Sequence, residues 1–161
     1  MATFHNTVVL RSDFGITQHE EGNIAVADCL PGFLVEAVGN GTFKPHSTAN
    51  GASAKKFAKE NYLMGCTLAG TNEGVNWHKV GERLLIHKAL PQDIINVYLA
   101  AGQVVARGDY AVSMGNGKVG KTASPLGAGI IAIGKFTETV DSTALDSHGR
   151  AQTHAAVEIM A

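Results

Sequence analysis

Apolar and polar positions alternate along this chain in short blocks. Runs of about four to eight residues rich in Val, Ile, Leu, Thr and Tyr are separated by small groups of glycine and polar residues. That rhythm predicts strands at Thr7–Leu10, Asn23–Ala27, Phe33–Val38, Gly65–Leu68, Arg83–Lys88, Ile94–Leu99, Tyr110–Met114, Ile130–Phe136 and Ala155–Met160. One segment reads differently: Ser53–Asn61 is the best helix candidate, with Ser53 placed to cap it, and an extended Phe57–Asn61 is its rival.

Two stretches repeat one plan. From Pro31 to Lys44, Gly32 opens an apolar run that ends in Gly39-Asn40-Gly41, followed by Phe43 beside Lys44. From Arg107 to Val119, Gly108 opens a run that ends in Gly115-Asn116-Gly117, followed by Lys118 and Val119, with the same spacing between glycines. Asn-Gly tolerates the positive φ angles of a tight hairpin turn, so each copy reads as strand, turn and returning strand. Two copies are too few for a solenoid and predict two hairpins within one sheet system or barrel. The first thirty residues differ, since Ser12–Gly22 is polar and carries Gln18, His19, Glu20 and Glu21 together. The chain therefore divides into an N-terminal arm or edge strand, 1–30, and a β domain, 31–161.

Composition narrows the class. The 161 residues suffice for one ordinary core, and 45% apolar with 17% charged residues suits an ordered domain. The formal net charge of -1 supplies no positive excess to neutralise phosphates, so no nucleic-acid partner is expected. Apolar runs such as Gly127–Ile133 are far short of the roughly 20 residues that cross a bilayer, and the start lacks the charged-then-apolar order of a signal peptide. No membrane partner is expected, and synthesis in a cytoplasm is. Cys29 and Cys66 share no CxxC or Cys/His metal spacing. A reduced structural role is expected of them, and spacing leaves a disulfide between them open.

Chemistry is hard to find. Gly115-Asn116-Gly117-Lys118 lacks the Gly-x-x-x-x-Gly-Lys-Ser/Thr spacing of a phosphate loop and has hairpin character. Seven histidines group as His148 with His154, His78 with His87 and His5 with His19, but none forms HExxH, so no metal site is assigned. No Gly-x-Ser-x-Gly elbow occurs, Cys66 sits in an apolar run, and Glu20/Glu21 and Asp141/Asp146 lie in polar segments where carboxylates keep ordinary acidity. Arg107-Gly108-Asp109 spells the tripeptide of adhesion ligands, but a turn before a strand explains it better. Trp77 stands among polar neighbours and is a candidate interface anchor.

An ordered series of features carries a resemblance. Phe57-Ala58-Lys59-Glu60-Asn61 is followed by Trp77-His78-Lys79-Val80-Gly81-Glu82-Arg83-Leu84, then Leu99-Ala100-Ala101-Gly102-Gln103-Val104-Val105. After these come Arg107-Gly108-Asp109-Tyr110, Met114-Gly115-Asn116-Gly117-Lys118-Val119, Ile133-Gly134-Lys135-Phe136 and Ala156-Val157-Glu158-Ile159. This order resembles the capsid cement, or head-decoration, proteins of tailed bacteriophages. Lys59 departs from the pattern, and Glu138–Thr153 reads as an added surface loop. The resemblance implies a mainly β fold, a small β-barrel or tulip-like sheet domain with hairpins, an extended N-terminal segment and at most one short helix. It further implies no cofactor, no enzymatic activity and a function carried by contact surfaces: a virion structural protein that binds the outside of the shell and stabilises it. The major capsid protein is then the partner, with the chain itself a homo-oligomer, trimer or dimer. Phe4, Val8, Val9, Leu10, Arg11 and Trp77 are the contact residues expected on that reading. The competing expectation is a carbohydrate-binding module or tail-associated adhesin, with Tyr62, Trp77 and Tyr98 as stacking platforms.

Overall fold

The computed structural model describes residues 8–12, 19–24, 26–59, 80–122, 127, 129–145, 149 and 151–161. Among them are thirteen strands and no helix. They are β1 (Val9–Arg11), β2 (His19–Ile24), β3 (Leu34–Gly39), β4 (Thr42–Pro45), β5 (Lys56–Ala58), β6 (Arg83–Lys88) and β7 (Ile94–Tyr98). The later ones are β8 (Val104–Val105), β9 (Tyr110–Gly115), β10 (Lys118–Lys121), β11 (Ala132–Phe136), β12 (Val140–Asp141) and β13 (His154–Ile159). The fold is mainly β, as the rhythm of apolar blocks predicts. Strands β2-β4-β3-β5-β6 close into a barrel, β1-β7-β13-β11-β9-β10 form a six-stranded sheet, and β8 pairs with β12. The predicted Gly65–Leu68 strand lies outside the described residues.

The helix expected at Ser53–Asn61 does not form. Ser53 Oγ accepts the Lys55 N–H in a local turn, Lys55 has φ 52°, and Lys56–Ala58 then pairs with both β3 and β6. A left-handed residue at the third position ends any helix that Ser53 would cap, and Phe57 then alternates out of the barrel while Ala58 faces into it.

Both predicted hairpins are present, in β3–β4 and β9–β10, with Asn40 and Asn116 at φ 50° and 52° and a register shift at the same place in each. They are the visible part of a larger repetition. The pairings Val35↔Lys56, Phe57↔His87, Asn23↔Arg83 and Ile24↔Phe43 of the closed barrel recur in the sheet as Ala111↔Gly134, Lys135↔Glu158, Tyr98↔His154 and Leu99↔Val119. Bracing bonds recur too: Gly32 and Gly108 N–H donate to Ala58 and Phe136 carbonyls at 2.9 and 2.8 Å. Phe33 and Asp109 N–H likewise donate to Leu30 and Ala106 carbonyls, both at 3.0 Å. The order β2-β4-β3-β5-β6 is thus repeated by β7-β10-β9-β11-β13. The chain is a tandem of two five-stranded units, the first closed and the second joined along its last edge by the single parallel bridge Leu99↔Val119.

The second unit stands open because the first enters it. In the closed barrel Asn23 N–H donates to Gly41 O at 2.9 Å. The equivalent groups in the second unit are diverted: Tyr98 N–H donates to Gly32 O, and Gly117 O accepts from Leu34 N–H. Gly32–Leu34 therefore sits as a wedge between β7 and β10. Only glycine fits at its head, because Gly32 has φ 85° and a Cβ there would lie 2.8 Å from Asn96 O. Leu34 and Phe57, both fully buried, point out of the closed barrel into the core of the second unit with Val97, Val119, Phe136 and Val157. Val35, Phe43, Ala58, Leu84 and Ile86 fill the closed barrel itself. Burial of side chains like Leu34 and Phe57 contributes about 1.5–3 kcal/mol each and holds the two units as one body.

Within the segment 1–30, β1 lies at the free edge of the sheet, against β7, and β2 is a wall of the closed barrel. In Glu138–Thr153, β12 pairs with β8, and Asp141 Oδ1 closes a turn by accepting from the Thr143 hydroxyl and N–H.

Candidate functional site

The residues singled out for contact separate on the fold. Val8 is 1% exposed in the second unit's core, and Asn96 N–H donates to its carbonyl. In this fold Val8 supports the sheet from inside. Val9 packs partly against the same core, whereas Leu10 is 48% exposed and Arg11 is exposed, so the outward side of β1 is the part available to a partner. Phe4 and Trp77 lie outside the described residues, as do Tyr62 and Cys66. Removing residues 1–11 is expected to lower the melting temperature, because it takes Val8 from the core and uncovers β7. Thermal denaturation of the truncated and the full chain checks this.

Tyr98 is only partly exposed. Its ring is edge-on to Phe33 at 5.0 Å and to His154 at 4.9 Å, packed against the closed barrel's core. Arg107-Gly108-Asp109 forms an exposed turn, but Asp109 Oδ2 accepts the Ala106 N–H within that turn and meets Lys121 Nζ at 3.5 Å. The Gly115-Asn116-Gly117 tip packs against Ser47, Phe33 and Pro45.

The titratable groups that the fold gathers are mostly enclosed where the two units meet. His46 is 3% exposed and reaches from the first unit to Ser113 of the second, Nδ1 to Oγ 2.8 Å. Its Nε2–H donates to the Ala52 carbonyl at 3.0 Å, which leaves Nδ1 opposite the Ser113 hydroxyl. Glu36 Oε2 lies 3.7 Å from His46 Nε2, giving a serine, an imidazole and a carboxylate in series. Burial pushes the Glu36 carboxyl up, but hydrogen bonds from Lys44 and Ser47 and the nearby His46 outweigh it and hold the carboxyl below its ordinary 4.5. Ser113 is fully buried and its Oγ also accepts the Gly115 N–H, so in this conformation no substrate reaches it. His87 and Asp93 form a second enclosed pair at 3.2 Å, and Asp93 Oδ2 accepts the Leu90 N–H as well. Burial, with the charge of Asp28 added, pushes the free Cys29 thiol up to about 12, which keeps it protonated and inert.

Among the described residues no group of three His, Cys, Asp or Glu is placed to hold a metal ion. The three histidine groupings noted in the sequence each include a member outside the described residues. A concavity on the first unit is lined by Glu20, Glu21, Lys59, Leu85 and Ile86, without an imidazole, thiol or hydroxyl among them. Lys56 pairs with Glu20 and lies over the Phe43 ring at 5.2 Å, a cation over an aromatic face.

Repetition exposes a feature that sequence reasoning missed. The outward positions of Leu34, Phe57 and His87, which dock the first unit on the second, are occupied in the second unit by Tyr110, Lys135 and Glu158. Lys135 and Glu158 are exposed, Tyr110 is half-buried, and Lys135 Nζ lies 4.9 Å from the Tyr110 ring centroid. The hairpin echo already aligns Leu34 with Tyr110, but the equivalence of Phe57 with Lys135 appears only in the strand register.

No protein-family model matches the sequence. No curated protein matches it either. Among solved structures, the crystal structure of the head fiber gp8.5 N base of bacteriophage phi29 matches with a TM-score of 0.56 and 12% sequence identity. The match covers 89% of this chain and 94% of that one, so this chain shares the fold of a phage head fiber base over nearly its whole length.

Proposed function

We propose that this chain is a structural protein of a tailed-phage head that binds the outer surface of the capsid and stabilises the mature shell. The observation that carries the reading is the fold likeness to a head fiber base across 89% of the chain. The ordered motifs from Phe57 onward support it independently. On this reading the major capsid protein is the partner and the site of action is the virion surface, reached after synthesis in the host cytoplasm. The chain acts as a homo-oligomer, trimer or dimer, in keeping with local symmetry axes of an icosahedral shell. Binding is carried by contact surfaces and needs no catalytic group.

The physics of such a role is linkage. A ligand that binds only the expanded lattice stabilises it in proportion to affinity and occupancy. A molecule touching several shell subunits gains further from effective concentration. Purified protein mixed with expanded, undecorated capsids of the phage that encodes it should bind saturably and raise their disruption temperature. Absence of binding to every capsid state would overturn the reading.

A further inference from the structure

The histidines whose side chains are described, His46, His87 and His154, all lie on or beside the seam between the two units. His46 bonds across it to Ser113, His87 is held by Asp93 of the short connection into β7, and His154 bonds across it to Pro31. We propose that this seam is an acid-labile hinge whose trigger is His154.

The geometry singles out His154 from the other two. Its Nε2 lies 3.0 Å from the Pro31 carbonyl, so Nε2–H is the donor, and Nδ1 lies 3.0 Å from the Thr153 hydroxyl, which donates to it whenever the imidazole is neutral. The ring touches the wedge itself: a Cβ on Gly32 would lie 3.2 Å from His154 Cδ2. Around it, β7 contributes the Tyr98 ring, the first unit contributes Pro31 and Gly32, and the residue preceding β13 is Thr153. On that side the fold places a cation, Lys118 Nζ, 6.0 Å from the Tyr98 ring centroid on the strand that flanks the wedge. His46 and His87, by contrast, face the carboxylates of Glu36 at 3.7 Å and Asp93 at 3.2 Å, which compensate a proton there. Among the described residues His154 faces no such carboxylate, so a proton placed on it in this half-buried site has no counter-charge.

The sign follows. Burial lowers the proton affinity of His154 below its ordinary 6.5, and the hydrogen bond to Pro31 only partly offsets this. An undocked, hydrated imidazole regains the ordinary value, so the docked seam binds fewer protons. The docked state is fully favoured above 6.5 and loses ground as pH falls below it. Three backbone bonds report on the seam: Tyr98 N–H to Gly32 O, Leu34 N–H to Gly117 O and Gly117 N–H to His46 O. Three others report on the units themselves: Asn23 N–H to Gly41 O, Ala58 N–H to Phe33 O and Phe136 N–H to Asp109 O.

The test is amide hydrogen exchange on the full chain at about pH 7.5 and about pH 5, corrected for intrinsic exchange. The seam amides should lose protection at the lower pH while the unit amides keep theirs. His154→Gln retains a neutral donor for Pro31 O and should abolish most of that loss. Equal protection at both pH values, loss at seam and units together, or an undiminished loss in H154Q would each overturn the hinge. Should H154Q fail to fold, NMR titration of the His154 ring in the native protein decides. A midpoint below that of free histidine supports the proposal, and one at or above it overturns it.

Discussion

Gly134→Ala should destabilise the protein by about 3 kcal/mol or more, at or beyond the upper end of ordinary overpacking. For a chain of this size that is a fall in melting temperature of roughly 6–12 °C. The cause is contact with backbone: a Cβ at Gly134 would lie 2.1 Å from Glu158 O, 2.9 Å from Glu158 C and 2.7 Å from Val157 Cγ1. Strand β11 changes register between Ala132 and Gly134, and this irregularity brings the empty side of Gly134 onto β13. A carbonyl inside a ladder cannot yield as the end of a side chain can, so β11 and β13 would have to part. The repeat supplies the control. Lys56 occupies the equivalent position of the first unit with a full side chain, and Lys56→Ala removes a partly exposed ion pair with Glu20, so its effect should stay within about 1 kcal/mol. Calorimetry on the two variants checks both, and an equal, small effect would contradict the packing argument.

Phe57→Ala should cost about 3–5 kcal/mol, the range for a fully buried aromatic ring. Phe57 belongs by chain to the closed barrel and by packing to the core of the second unit, beside Leu34. Its loss therefore opens a cavity where the units join and weakens the second unit more than the first. Guanidinium denaturation should show a lower midpoint, and exchange should show the amides of β11 and β13 losing protection before those of β3 and β4. A cost under about 1 kcal/mol would mean that the seam collapses around the missing ring and that the wedge alone holds the units together.

Contact surfaces divide along the same seam. Leu34, Phe57 and His87 are consumed within the molecule, whereas at the same positions of the second unit Tyr110 is half-buried and Lys135 and Glu158 face solvent. The first unit is sealed by its β2–β4 pairing, so it has no open slot to receive a wedge from a second copy. A homo-oligomer of this chain would therefore have to use surfaces other than this one, such as the outward side of β1 with Leu10 and Arg11.

Several elements were legible in the sequence because their causes are local. The Gly-Asn-Gly tips announce hairpins since positive φ is demanded there whatever surrounds them, and both formed with matching angles. Strands such as Arg83–Lys88 and Ile94–Tyr98 show in the alternation that a half-buried sheet requires. Strand β2 was harder, because Glu20 and Glu21 sit in it as partners of Lys56 and Arg83 on other strands, and those partners are distant in sequence. Ser53 suits a helix cap for the same reason that it makes a local turn: its hydroxyl accepts a nearby N–H in either case.

By itself, then, the sequence determined a β-rich domain with two equivalent hairpins, since turn chemistry and alternation act over a few residues. Only the tertiary structure decided that the hairpins belong to two repeated five-stranded units, one closed and one held open by the other. The residues at matching places, such as Phe57 and Lys135 or His87 and Glu158, have opposite character because one face is buried between the units and the other meets water. Burial belongs to the docked arrangement and not to any single strand, so it left no shared residues by which the full repeat could be read.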